Sequence, residues 1–204
     1  MVAAVTYRPA TLDDAEAASD VMTASYPALP QDPVLLRYRW QNPRVGYEYA
    51  RFLAQRDGGS IAYLGWIHGP WSKLPDRHCE VEVWLDRGAL EESLLAEMWE
   101  WIGQQAVAQG SGILLAYCGE DEPEMLDALA RLGYERARAE KVWELDLKRL
   151  GRGLIEKAAE LGIAVVCTDN DSENAPMLHI NETLGYVRRP GFVEHHKRVK
   201  NIGA

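Results

Sequence analysis

The chain has 204 residues, 47% of them hydrophobic, with nine Tyr and seven Trp, which is ample for a packed core and unlike a disordered segment. Its net charge of −9 argues against general nucleic-acid or membrane binding. No apolar run reaches the roughly 18 residues of a membrane span, and residues 1–9 lack the basic-then-apolar pattern of a secretory leader. Cys79, Cys118 and Cys167 are odd in number and far apart, which suits reduced, mostly buried thiols of a cytoplasmic protein better than a disulfide framework.

Residues 5–8 predict a short strand stopped at Pro9. Thr11 and Asp14 have the spacing of a capping box, and Leu12, Ala15, Ala18 and Met22 fall at helical intervals behind it. Pro27, Pro30 and Pro33 break that helix, and residues 34–40 predict a shorter one before Pro43. Residues 51–56 and 61–67 predict a hairpin turned between Asp57 and Ser60. Residues 79–85 alternate strictly, as a strand with one buried face does. A long amphipathic helix is predicted over 89–109, with Leu90, Leu94, Met98, Trp101 and Ile102 on one side and Gly110 at its end. A strand over 113–117, a helix over 125–132 closed by Gly133 and a strand over 140–147 follow. Strands two to four can pair antiparallel, whereas the strand–helix–strand step over 79–117 calls for a parallel crossover. The expected fold is therefore α/β of the α+β kind: a mixed, mostly antiparallel twisted sheet with helices on both faces, plus a repeated C-terminal half unit.

That repeat is visible at a fixed offset of 52 residues. Gly110, Met125, Leu126, Leu132, Gly133 and Tyr134 recur as Gly162, Met177, Leu178, Leu184, Gly185 and Tyr186. A glycine-capped helix end alone is common, but six identities in one register, with matching helix and strand patterns, predict a duplication. Residues 1–147 are then one intact domain and 148–204 part of a second. The tail is also basic by comparison: 148–204 hold nine Lys/Arg against seven Asp/Glu in a chain of net charge −9. An anionic ligand at the tail fits that balance.

Lys148, Gly151, Arg152 and Gly153 form a basic, glycine-containing turn between the strand ending at 147 and a helix predicted over 154–161. Amide groups at the mouth of a helix, with added cations, suit a pyrophosphate; a solvated linker has the same composition. The polar run from Thr168 to Asn174 then precedes a helix with Pro176 in its first turn. Turn-making and capping explain such residues. Asn181, however, is placed on the apolar face of that helix with Met177 and Leu184, where a polar side chain wants a partner.

These residues carry a resemblance. The stretch 165–192, with Asn-Asp-Ser-Glu-Asn-Ala-Pro-Met-Leu and Ile-Asn-Glu-Thr-Leu-Gly-Tyr, resembles the GNAT superfamily of acyl-CoA N-acyltransferases, and the second domain of its tandem type in particular. The first 147 residues are similar in element order. The resemblance implies acetyl-CoA, or another acyl-CoA, as co-substrate. Its pyrophosphate would lie on Lys148, Gly151, Arg152 and Gly153. Its pantetheine arm would lie near Asn170, Asn174, Pro176, Met177 and Asn181, between two parting strands at 142–147 and 164–168.

The implied reaction is direct attack of an amine on the thioester, with a strand carboxylate as base (Glu144 or Asp146, with Glu80 and Glu82 at the comparable strand of the first domain) and Tyr186 as proton donor. The acceptor would be a small amine or an N-terminal or lysine amine. Three departures favour a rival reading, a catalytically degenerate CoA-binding or dimerising module. The usual family Tyr is replaced by Asn181 in the tail and by Leu129 in the first copy. The turn from Asp86 to Leu90 lacks a second glycine. The second domain has no first half. An isolated half sheet also leaves an edge that the first domain or a second copy of the chain must cover. His195 and His196 are adjacent and point to opposite sides of a strand, so no metal site is expected.

Overall fold

The computed structural model describes residues 4–72, 77–146, 160 and 165–199. They form two compact units, neither of them contiguous in sequence: the first holds residues 1–116, 127–135 and 196–204, the second 117–126 and 136–195.

In the first unit, β1 (Thr6–Pro9) leads through a 3-10 turn (Leu12–Asp14) into α1 (Ala15–Ser25), and α2 (Pro33–Gln41) follows. The entry into α1 is built from the predicted capping box. Thr11 N–H and hydroxyl both donate to Asp14 Oδ2 at 2.8 and 2.9 Å, and Asp14 N–H returns to the Thr11 carbonyl at 3.0 Å. Asp32 caps α2 by accepting from the amides of Val34 and Leu35.

The strands β2 (Glu48–Arg56), β3 (Gly59–His68) and β4 (His78–Leu85) then pair antiparallel in succession, with β1 on the outer side of β2. The β2–β3 turn is tight, Asp57 and Gly58 both having positive φ as a two-residue hairpin requires. After β4 come a second 3-10 turn (Arg87–Ala89) and α3 (Glu92–Ala108), so the long helix starts three residues later than its periodicity suggests. β5 (Ile113–Gly119) returns parallel to β4, in register from His78↔Ile113 to Val81↔Ala116. Glu82–Leu85 lie beyond that register.

The sheet of this unit is buried on both faces. Cys79, Val81, Val83 and Leu85 of β4 are buried with Leu94, Leu95, Met98 and Ile102 of α3. On the other face Leu53, Tyr63 and, in part, Trp84 pack with Ala18, Met22, Leu36 and Trp40 of α1 and α2. The strict alternation of β4 follows from this: alternate residues must satisfy two different helical layers.

β5 and α4 (Pro123–Arg131) each run from one unit into the other. The second unit is completed by β6 (Glu135–Asp146), β7 (Val165–Asp171), α5 (Ala175–Thr183) and β8 (Val187–Arg198), with strands in the order β5-β8-β6-β7. The last residues of β8 lie in the first unit. β6 starts five residues earlier than expected, directly after the glycine-capped end of α4. Gly133 and Gly185, the two repeat glycines after α4 and α5, both take positive φ, 81° and 82°. Among the described residues no helix is long and apolar enough to cross a membrane.

Candidate active site

Three adjacent strands of the first unit place one row of side chains on the α1/α2 face. Gly65 of β3 stands opposite Arg51 of β2 on one side and Glu82 of β4 on the other. Glycine lets the Glu82 side chain lie across β3: a Cβ built there would be only 2.7 Å from Glu82 Oε1. Trp84 Nε1 donates to Glu82 Oε2 at 3.0 Å. The Arg51 guanidinium lies over the Tyr49 ring at 4.0 Å and the Trp40 ring at 5.0 Å, and Trp40 stacks on Tyr63 at 5.9 Å.

Burial raises the pKa of Glu82, and its hydrogen bonds from Trp84 and Tyr63 and the charge of Arg51 offset that only in part. Burial and the Glu82 charge likewise hold the Tyr63 phenol well above its ordinary value. A partly buried carboxylate with raised basicity can accept a proton from a substrate nitrogen. Glu82 was among the strand carboxylates considered from sequence. Arg51, Tyr63 and Trp84 were missed, and the available signal was a glycine at the centre of a strongly apolar strand.

The turn after β4, where a phosphate would sit in an intact first copy, is acidic, and α3 starts without a side-chain cap. Asp86 Oδ1 takes the Gly88 amide at 2.7 Å, and Glu91 and Glu92 at the start of α3 pair with Arg56 and Arg131. A dianion there would meet three carboxylates, so these residues do not fit a pyrophosphate.

In the second unit the expected cofactor residues divide. Lys148, Gly151, Arg152 and Gly153 lie outside the described residues. Asn174 caps α5 through the Met177 amide at 3.4 Å, with Pro176 in the first turn. Asn181 is 3% exposed, and the Nδ2 groups of both Asn181 and Asn170 are buried without a hydrogen-bond partner among the described residues. Two orphaned donors of this kind fit the amide carbonyls of an extended ligand. Their companions do not share that burial: Met177, Ile180 and Leu184 are exposed. The expectation that Asn181 shares an apolar inner face with Met177 and Leu184 is thus corrected, since α5 is rotated to turn the amide inward.

The expected parting strands are also corrected. β6 and β7 are antiparallel and in register from Glu140↔Asp171 to Asp146↔Val165. A ladder hydrogen-bonded along its length leaves no gap for a pantetheine arm. Glu144 is held by Arg189 in a two-pronged pair at 2.8 and 2.9 Å, Asp146 ends the ladder opposite Val165, and Tyr186 is half-buried with its amide donating to the Asn181 carbonyl. His195 Nδ1 lies 3.2 Å from the Val193 carbonyl, and the His196 ring stands 6.3 Å from that of His78. Cys118 and Cys79 are buried, with burial pushing their thiols up to about 12 and about 11, while Cys167 is exposed.

A crossover-linked parallel pair within a mostly antiparallel sheet, with helices on both faces, is the fold of the GNAT acetyltransferases. The chain superimposes on a tandem GNAT protein from the clavulanic acid biosynthesis pathway, solved without acetyl-CoA, with a TM-score of 0.81 at 12% identity over 96% of this chain and 98% of that one. A GCN5-related N-acetyltransferase from Sphaerobacter thermophilus matches with a TM-score of 0.66 at 13% identity, over 95% of both chains. A phosphinothricin acetyltransferase from Sinorhizobium meliloti, solved with acetyl-CoA, matches with a TM-score of 0.58 at 14% identity over 96% of this chain and 88% of that one. No family model and no curated protein matches the sequence.

Proposed function

We propose that this protein is an acyl-CoA-dependent N-acyltransferase that transfers an acetyl group to an amine. The observation that carries the reading is the Arg51–Gly65–Glu82 row: a carboxylate of raised basicity laid over a glycine, on the strand where the β4–β5 register ends. The GNAT fold supports the same chemistry. Acyl-CoA would supply the acyl group as a thioester. Glu82 accepts the proton of the acceptor's ammonium, leaving a neutral, nucleophilic amine. Arg51 already occupies the faces of Tyr49 and Trp40, so the acceptor's cationic nitrogen is left to the carboxylate rather than to those rings. Glu82 displaces Glu144 as the favoured base, because the Arg189 pair engages both oxygens of Glu144.

The first-copy turn at Asp86–Glu92 being unfit for phosphate, the pyrophosphate falls to Lys148, Gly151, Arg152 and Gly153. Asn170 and Asn181 donate to the pantetheine amides, flanked by Asn174, Pro176 and Met177; Asp146 and Tyr186 remain candidates for proton transfer. The duplicated organisation, 1–147 and 148–204, belongs to the same proposal.

The acidic turn before α3 favours a second reading, a CoA-binding module without turnover. Thiol release from acetyl-CoA across a panel of amines, alongside calorimetric CoA binding, separates the two. The enzyme reading expects release that falls by about 10²–10⁴ in Glu82→Gln and disappears with CoA binding in Gly151→Asp. Tight binding with no release from any amine would establish the module.

A further inference from the structure

Tyr63 of β3 stands two residues before Gly65, so both lie on the same face of the sheet, and its register partners are Leu53 of β2 and Trp84 of β4. It is 3% exposed, and its ring stacks on Trp40. A phenylalanine would do that packing equally well. The hydroxyl is what distinguishes tyrosine here, and a buried hydroxyl needs partners. Its partners are the two charged groups of the row, Glu82 and Arg51.

Counting protons fixes the direction of those two bonds. A guanidinium can only donate, an ionised carboxylate can only accept, and a phenol has one proton. Tyr63 therefore accepts from Arg51 through its oxygen and donates its own proton to Glu82. Gly65 allows the arrangement, because the Glu82 side chain crosses β3 where a Cβ would stand. Trp84 Nε1 supplies a second donor, to Oε2 at 3.0 Å. The helices over this face contribute Ala18, Met22, Leu36 and Trp40, none of which titrates. Apart from Glu80, next along β4 on the same face, the titratable and charged groups bearing on Glu82 among the described residues are Arg51 and Tyr63.

We propose that Tyr63 is a positioning residue: its hydroxyl links Arg51 to Glu82 and fixes the carboxylate across Gly65. Arg51 then acts on Glu82 through the phenol, although a whole strand lies between them. The link favours the ionised carboxylate and so opposes the burial that raises its pKa. This inference rests on the reading of Glu82 as the base and names what holds that base in place.

The test is titration of Glu82 by carboxyl-carbon NMR in the full chain, its signal identified by its loss in Glu82→Gln, for wild type, Tyr63→Phe, Arg51→Gln and the double variant. The pH dependence of kcat/KM for amine acetylation is measured alongside. Each single variant should raise the Glu82 midpoint, Tyr63→Phe by about one pH unit or more, as loss of one hydrogen bond to a charged group implies. The double variant should rise by less than the sum of the two, since Arg51 works through the phenol. A role in packing alone would move the urea midpoint and leave that of Glu82 in place. An unchanged Glu82 midpoint in Tyr63→Phe, or strictly additive shifts, would overturn the proposal. If the midpoints shift as expected but no amine is acetylated, the base reading falls and the link through Tyr63 stands.

Discussion

Glu82 and Asp14 show how two carboxylates of one unit acquire opposite pH behaviour. Burial raises the pKa of Glu82 above the ordinary 4.5, so any stability tied to its protonated form is present below that value and lost as pH rises through the folded pKa. Its use as a base follows the other way, growing over the same interval. We expect the acid limb of kcat/KM to lie above pH 4.5 and to vanish in Glu82→Gln; an acid limb unchanged in that variant would assign the base elsewhere. Asp14 has the reverse sign. The Arg8 guanidinium, at 2.7 and 2.9 Å, and the Thr11 donors hold it well below the usual carboxylate range. Its contribution is present above the ordinary 3.8 and lost as pH falls through the lower, folded value. Urea midpoints should therefore drop between about pH 4 and about pH 2, with a smaller drop in Asp14→Asn.

Elements in this protein are held close by missing side chains as much as by present ones. In the second unit, Gly191 of β8 approaches β6 so closely that a Cβ would collide with the Glu140 carbonyl. The same residue exchanges bonds with Glu120: the Glu120 amide donates to its carbonyl at 2.8 Å, and its own amide donates to Glu120 Oε2 at 3.1 Å. Backbone cannot yield as a flexible side chain does. Gly191→Ala should cost about 1–3 kcal/mol in urea unfolding, the usual range for overpacking. A variant as stable as wild type would mean that β8 and β6 have slack.

The periodic elements were legible early. Leu94, Met98 and Ile102 repeat at helical spacing, and Cys79, Val81, Val83 and Leu85 alternate, because each element meets water or a second layer on one side. The rotation of α5 was not legible. Met177 and Leu184 share a face with Asn181 by spacing, yet only Asn181 of the three is buried. Helical spacing identifies a face without saying which face the rest of the molecule covers.

Across the whole molecule, the chain's late residues complete a unit begun by its first. Within that unit the Val199 amide donates to the Gly112 carbonyl at 3.0 Å, and Lys197 covers the Tyr134 ring. A chain ending at residue 186 should lose this strand, lower the urea midpoint and speed amide exchange over Ile113–Ala116. Unchanged exchange there would show that the first unit stands without it.

By itself the sequence determined the order and type of most elements, the capping box at Thr11 and Asp14, the hairpin at Asp57 and Gly58, and the parallel step from β4 to β5. Each of these depends on neighbours a few residues apart or on chain reach. Only the tertiary structure decided that Arg51, Gly65 and Glu82 form one row and that β6 and β7 close on each other instead of parting. Those facts depend on register and on contacts between distant segments, and side-chain periodicity leaves strand partners and helix rotation open.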